Sequence, residues 1–327
     1  MWAFILRKLL YYIPVYLGII FILMGALRIK GDPAHAYLGK NATQEQLDLL
    51  HKKMGLDDPF IVQYVKYLGK IVTFNFEEES WAQDGRSVRD ILVRSIPPSL
   101  SITIPELFAS VCLSIVIALV SAYFRGRAVD QTLMVLAVLG MSISYLVYII
   151  FGQFFGAGLP QAEGVYTPFA IQGYEPWAPF LSEGARPINW VTYCLLPVII
   201  GVVVAMGYDT RFYRAVMVEE SSRDYIITAL AKGASKRKVM FVHMLKNAMI
   251  PIITRVMTTL PFLITGAILI EIYFIIPGMG FQLISAIRAN DFPVVQGFVA
   301  VFAVIFIISV ILTDVMYALV DPRIRLS

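Results

Sequence analysis

The chain has 327 residues, 58% of them hydrophobic and 15% charged, and its mean hydropathy is +0.72. Soluble domains carry about 45–50% apolar residues, so this composition belongs to a membrane protein and excludes intrinsic disorder, collagen-like repeats and a disulfide scaffold. The net charge of +4 is modest, and the densest basic cluster falls between two apolar spans rather than on a soluble face, which argues against nucleic acid as a partner.

Uncharged runs of about 20 residues mark membrane spans. The first is Leu9 to Leu27, flanked by Arg7 and Lys8 before it and Arg28 and Lys30 after it. Its 19 uncharged residues exceed the roughly 7–15 of a secretory signal core. Arg28 and Lys30 also separate it from the small-residue triplet Ala34-His35-Ala36, so a retained span is expected. Further spans are predicted at 102–124, 132–156, 191–209, 252–276 and 294–319, for an all-α integral membrane protein of six transmembrane helices.

With the N-terminus in the cytoplasm, the short inner pieces hold 15 of the 27 Lys and Arg. The positive-inside rule therefore predicts both termini inside. The chain then divides into an N-terminal tail and first helix (1–30), an extracytoplasmic segment (31–98) and a core of five transmembrane helices (99–327).

Segment 31–98 is too polar to span and is predicted to form a small helical cap. Thr43 and Gln46 fit a capping box, with Leu47, Leu50 and Met54 on one face and Gly55 at the end. Asp58-Pro59 opens a second helix whose inner face is read as Ile61, Val65, Leu68 and Val72. The outer segment 157–190, rich in Gly, Pro, Trp and Tyr, is predicted to be an irregular loop at the membrane surface. Tyr11, Tyr12, Tyr148, Trp190, Tyr273 and Tyr317 stand at span ends, where aromatic rings anchor a helix in the interface.

Residues 211–250 form an amphipathic stretch between the fourth and fifth spans, far longer than an ordinary connector. Helical character runs from Tyr225 to Lys232. Gly233 suits a C-cap of positive φ, and Ser235 can cap a second helix carrying Val239, Val242 and Leu245. Two short helices are thus expected to meet at Gly233. Ala229, Ala231, Gly233 and Ala234 make the turn small, and Lys232, Lys236, Arg237 and Lys238 give it a basic rim. Such a turn can receive another protein, or it can be a solvated basic loop.

Asp224-Tyr225, Thr228-Ala229, Lys232-Gly233, His243, Leu245, Lys246-Asn247-Ala248 and Ile250-Pro251 carry a resemblance that decides between these readings. The chain resembles the permease subunits of ATP-binding-cassette importers, in particular the B-type subunit of the oligopeptide, dipeptide and nickel group. Motifs along the whole chain share it: Arg7-Lys8-Leu9-Leu10, Ile13-Pro14, Gly31-Asp32-Pro33, Gly55-Leu56-Asp57, Pro293-Val294-Val295-Gln296-Gly297 and Asp321-Pro322-Arg323. The resemblance implies a type I importer permease fold. It identifies 211–250 as the EAA coupling loop, with Asp224, Tyr225, Thr228, Ala229, Ala231, Lys232, Gly233, Ala234, Ser235 and His243 facing the ATPase. Ile227 and Thr228 replace the general motif's first Glu and Ala, as is common in the peptide subgroup. Residues 76–80 and the loop 157–190 match poorly.

The sequence holds no Gly-x-x-x-x-Gly-Lys-Ser/Thr loop, so the chain has no means of cradling ATP phosphates itself. The resemblance places ATP and Mg on partner ATPase subunits and implies no cofactor on this chain. It further implies a second, C-type permease chain, two ATPases, an extracytoplasmic solute-binding protein and a bacterial inner membrane. Peptide is the first expectation for the solute; nickel chelates and other small solutes share the scaffold.

Charges inside apolar spans are costly and usually serve a pathway or a partner, which singles out Glu106, Glu271 and Asp314. Glu271 precedes the break at Pro277-Gly278 and Gly280, so these residues are read either as part of an outer gate or as a structural tie under the loop. The turn Arg288-Ala289-Asn290-Asp291 is read as an outer surface on which a binding protein docks. A proton-coupled secondary transporter relaying through Glu271 and Asp314 is the rival class, but it would call for inverted repeats near the midplane, and none is evident.

Overall fold

The computed structural model describes residues 2–29, 34, 43–54, 56–73, 75–83, 85–178, 185–264 and 268–320. In chain order its helices are α1 (Trp2–Ile29), α2 (Gln44–Met54), α3 (Phe60–Val72), α4 (Val88–Tyr123), α5 (Ala128–Ser142), α6 (Tyr145–Gln153), α7 (Leu159–Ala162) and α8 (Pro187–Tyr193). They are followed by α9 (Leu195–Glu220), α10 (Asp224–Ala231), α11 (Lys236–Lys238), α12 (Leu245–Ile264), α13 (Ile268–Phe274), α14 (Met279–Ala289) and α15 (Phe292–Val320). Among the described residues five helices are long and apolar enough to cross a membrane, or up to seven spans if each of two bent helix pairs is one crossing. The expected six lies within that range. Among the described residues there is no strand, only an isolated bridge between Glu79 and Ser87.

The chain forms two compact units, one of residues 1–97 with 277–311 and the other of 98–276 with 312–327. In the first, α3 lies against α1. The Tyr64 hydroxyl donates to the Leu17 carbonyl at 2.9 Å, the Phe21 ring contacts both Phe60 and Tyr64, and Ile20, Met24, Tyr67, Ile71 and Ala300 are buried together. The expected face of α3 is therefore corrected: of its four residues Leu68 packs on this cluster, but Ile61, Val65 and Val72 are exposed, and the buried residues are Tyr67 and Ile71. A helix with apolar residues over much of its circumference offers two candidate faces, and periodicity alone picked the aliphatic one.

The capping box at α2 forms as predicted, with Thr43 N donating to Gln46 Oε1 at 3.1 Å and Gln46 N to Thr43 Oγ1 at 3.4 Å. Leu47 is buried; Gly55, the Gly31-Asp32-Pro33 motif and the terminal Asp321-Pro322-Arg323 lie outside the described residues. Asp291 is 1% exposed. It accepts from the Ser80 hydroxyl and the Ala82 amide and, from Val294 N at 3.4 Å, caps α15. Asp291 is thus a structural cap, which removes it from the docking surface read there; Arg288 beside it is exposed.

In the second unit the expected third span is broken. Ile143 is extended at φ −84, ψ 133, so α5 and the helix from Tyr145 to Ala162 meet at 91°, pinned by the Tyr148 hydroxyl on the Gly140 carbonyl at 3.0 Å. The fourth span starts after Cys194 and runs to Glu220, well past its expected end at 209. The next crossing begins at Lys236, well ahead of the expected 252. Two clusters fill this unit: one around Ile102, Ile149, Cys194, Ile270 and Phe274, over which Phe169, Tyr174 and Trp190 of the outer segment pack, and another around Tyr213, Met217, Ile226, Val239 and Met244.

Candidate coupling site at the Gly233 turn

The turn between α10 and α11 is built by local backbone chemistry. Lys232 ends α10, Gly233 takes φ +80, Gly233 N donates to the Leu230 carbonyl at 2.9 Å and Ala234 N to the Ala229 carbonyl at 3.1 Å. This is the paired 6→1 and 5→2 bonding of a Schellman cap, which needs a left-handed residue where Gly233 stands. A Cβ at Gly233 would meet nothing within 4 Å, so glycine is required there by conformation and not by crowding within this chain. The Ser235 hydroxyl then accepts from Lys238 N at 3.3 Å and opens the next helix.

That second helix is not short. Lys236 to Thr259 runs as one helical crossing, and Val239–Met244 within it is wound as a π-helix. Likewise 211–220 is the end of α9, so the long loop expected over 211–250 contracts to α10 and its two turns. The Gly233 turn thus leads straight into the span that contains α12.

Ile226 anchors α10 by burial in the cluster with Tyr213, Met217, Val239 and Met244. The opposite face carries Asp224, Thr228, Ala231, Lys232 and Gly233, all exposed or half-buried. Ile227 and Leu230, 62% and 47% exposed, flank Ile226 rather than oppose it, about 100° and 40° round the helix. These two were not among the predicted contact residues; their i, i+3 spacing is the signal that could have found them. Tyr225, Thr228, Ala229, Lys232, Gly233, Ala234, Ser235, Lys238 and His243 line a single concavity of about 560 Å³. Of the predicted residues, Asp224 and Ala231 do not line it and stand exposed on α10.

Two contacts fix the turn to the spans, and a third joins the spans to each other. The Tyr225 hydroxyl donates to Glu220 Oε2 at 2.7 Å, and burial followed by this bond pushes the phenol up to about 12. Lys236 Nζ donates to the Tyr123 carbonyl at 3.1 Å and lies 4.7 Å from the Tyr123 ring centre, at the end of α4. Near the ends of α4 and α9, Asp130 accepts from Arg214 Nε and Nη2, each at 2.7 Å, from Ser121 Oγ at 2.5 Å and from Gly126 N at 2.9 Å. Sequence reading counted Arg214 only as one basic residue among many, because Asp130 is 84 positions away.

Glu271 is fully buried and accepts from Ser99 Oγ at 2.6 Å. Its carbonyl accepts from Ile276 N at 2.9 Å across a turn in which Ile275 adopts φ +54. Glu271 thus ties the end of α13 to α4. Pro277, Gly278 and Gly280 belong to the other unit, where Gly278 caps α14 and Gly280 is buried. Glu106 lies against α9, its carboxyl occupying the space that a Cβ at Gly201 would need.

Residues 114–326 match the family described as binding-protein-dependent transport system inner membrane component, and residues 1–103 match its N-terminal region. The chain belongs to this family. The dipeptide transport system permease protein DppB of Bacillus subtilis is 35% identical over 91% of this chain and 89% of its own length. A protein of Sinorhizobium fredii, named a probable peptide ABC transporter permease, is 30% identical over 99% of this chain and 100% of its own length. The chain is a multi-pass membrane component of a binding-protein-dependent ABC importer, and the family accounts for the long stretch of matching motifs from Arg7 to Pro293.

Proposed function

We propose that this permease subunit forms half of a translocation path for peptides and that the Gly233 turn receives an ATPase subunit. The solute rests on the relatives, two of which are named for peptide or dipeptide transport. The docking reading rests on one observation above all: the exposed Thr228, Lys232, Gly233 and Lys238 line one concavity with Tyr225 and His243, on the side of α10 away from buried Ile226. Ile227 and Leu230, 62% and 47% exposed on the same helix, add apolar surface of the kind found in protein contacts.

In this reading two ATPase subunits carry ATP and Mg, this chain binds no cofactor, and a C-type permease chain supplies the other half of the path. An extracytoplasmic binding protein delivers the solute, and both termini lie in the cytoplasm of a bacterial inner membrane. ATP-driven closure of the ATPases moves α10, and Lys236 and Arg214 transmit that motion to α4, α5 and α12. Glu271 holds one side of an outer gate whose break falls at Pro277, Gly278 and Gly280.

The test is purification of the assembly from its host in mild detergent, with ATP hydrolysis measured with and without Gly233→Arg. Nucleotide-binding partners that co-purify, and hydrolysis that no longer responds to binding protein and dipeptide in the variant, are expected. Uptake should survive a proton ionophore and stop on ATP depletion. Unchanged coupling in Gly233→Arg, or uptake driven by a proton gradient without ATP, overturns the reading.

A further inference from the structure

Among the described residues, three helix ends close with the same pair of backbone bonds around a residue of positive φ. At two of them the left-handed residue is Gly233 or Asn290, types that accept this conformation. At the end of α13 the bonds run from Ile276 N to the Glu271 carbonyl at 2.9 Å and from Ile275 N to the Ile272 carbonyl at 3.4 Å, and the left-handed residue is Ile275, at φ +54. A β-branched residue there is an outlier. Such strain persists only where the surroundings over-determine it, and it gathers at switches.

The surroundings that hold Ile275 come from distant parts of the same unit. A helix leaves its last four carbonyls without intrahelical partners. The turn itself takes those of Glu271 and Ile272. The Tyr273 carbonyl accepts from Gln153 Nε2 at 3.0 Å and from Gln172 Nε2 at 3.2 Å, and the Phe274 carbonyl accepts from Gly173 N at 2.8 Å. Gln153 ends α6, whereas Gln172 and Gly173 belong to the irregular strap 165–178 between α7 and α8. Phe169 and Tyr174 seat that strap on the core. Its remaining bonds are single ones: Thr167 Oγ1 to the Gly156 carbonyl at 2.9 Å, Ala170 N to the Thr192 carbonyl at 2.8 Å, and Gln153 Nε2 to the Ile171 carbonyl at 3.1 Å. None belongs to a helix ladder, so the strap can part from α13 without unwinding a helix.

Ile276 is the last residue of this unit before Pro277, and a following proline disfavours a helical Ile276. The dihedral of Ile275 thus sets the course of the chain into Pro277-Gly278. We propose that the Ile275 turn is a latch of the outer gate and that Gln153 and Gln172 are its positioning residues. They hold Ile275 left-handed in the closed form. When the two amides and Gly173 part from α13, Ile275 leaves the left-handed region and the chain swings at Pro277, as element-terminal hinge residues do. The strain lowers the cost of that release. The proposal rests on the reading of Pro277, Gly278 and Gly280 as a gate; it adds the bonds that lock it.

The test uses the complete assembly in vesicles, with ATP hydrolysis measured with and without binding protein and dipeptide. Gln153→Leu combined with Gln172→Leu removes both amides and should raise the unstimulated rate roughly fivefold or more, the low end of an ordinary coupling between sites. Ile275→Gly removes the penalty on a left-handed Cβ and shifts the latch toward its held form by roughly five- to thirtyfold, so the stimulated rate should fall. The triple variant should return the unstimulated rate toward wild type. An unstimulated rate that stays at the wild-type level in the leucine pair would make the glutamines ordinary caps and overturn the proposal. Ile275→Gly relieves strain and keeps the fold, so it decides alone if the leucine pair does not assemble; a wild-type response from it overturns the latch. Pro277→Ala separates the two levels. Unaltered hydrolysis in that variant removes the gate and the latch with it, whereas altered hydrolysis beside silent Gln153, Gln172 and Ile275 variants removes the latch alone.

Discussion

Arg214 holds Asp130 through two parallel bonds of 2.7 Å, Nε to Oδ1 and Nη2 to Oδ2, across 84 residues of chain. The Asp130 side chain is only 4% exposed, so its charge depends on this partner together with Ser121 Oγ and Gly126 N. Such a fork fixes orientation as well as distance, and it joins the start of α5 to the helix that leads into α10.

Removing one member leaves a buried charge without its counterion, which costs about 3–5 kcal/mol. Arg214→Met should therefore lower the thermal midpoint of the purified assembly sharply. Arg214→Met combined with Asp130→Leu should recover most of the loss, because no bare charge then remains. A double variant as unstable as the single one would show that the pair does not act as a unit.

Two glycines should respond to alanine for different reasons. At Gly207 a Cβ would stand 3.0 Å from the Ala137 carbonyl oxygen and 3.0 Å from Met141 N, both backbone atoms of α5, so Gly207→Ala must push α9 away from α5 at roughly 1–3 kcal/mol. At Gly233 the surroundings are open and only φ +80 resists, at roughly 1–2 kcal/mol for a residue with a Cβ. Gly233→Asn, which tolerates this conformation, should be milder than Gly233→Ala, whereas Gly207→Asn should be worse than Gly207→Ala. Thermal unfolding of the four variants checks the order.

Glu271 receives the Ser99 hydroxyl at 2.6 Å inside the unit that also contains α13. Glu271→Gln preserves an acceptor at that position and should keep much of the uptake rate. Glu271→Leu strands the Ser99 donor and should reduce both uptake and assembled yield. If Glu271→Gln abolishes uptake while stability stays intact, the charge itself serves transport.

Tyr225 is a neutral acid whose folded value is raised from 10.0 to about 12. The folded form thus holds its proton more tightly than the unfolded one, and this contribution is complete below about pH 10 and fades as the pH rises toward about 12. The tyrosinate absorbance that wild type gains near pH 12 should be smaller by one tyrosine in Tyr225→Phe. Proteolytic nicking between α9 and α10 should increase over the same interval in wild type and change less in the variant. A Tyr225 that titrates at its ordinary value would show that the bond to Glu220 and the burial are lost in solution.

Much of the architecture was legible because its causes are local. Uncharged runs must become helices in a bilayer, since every backbone group there needs an internal partner. Thr43 with Gln46, and Gly233 with Ser235, satisfy helix ends within a few residues, so the capping box and the turn were readable to the residue. The residues from Asp224 to His243 that we propose for coupling lie close in sequence, which is why they fall on and around one turn.

What the sequence left open depended on partners distant in the chain. Periodicity could not say which side of α3 is buried, because that choice is made by Leu17, Ile20 and Ala300. Arg214 and Asp130, Ser99 and Glu271, and Ser80 and Asp291 are each separated by scores of residues, and an ionisable group shows its role only when its counterpart is in place. The break at Ile143 and the run of one helix from Lys236 into the membrane were likewise visible only in the folded chain. Local chemistry determined which segments are helices and where they are capped; tertiary contact decided which faces and charges those helices hide.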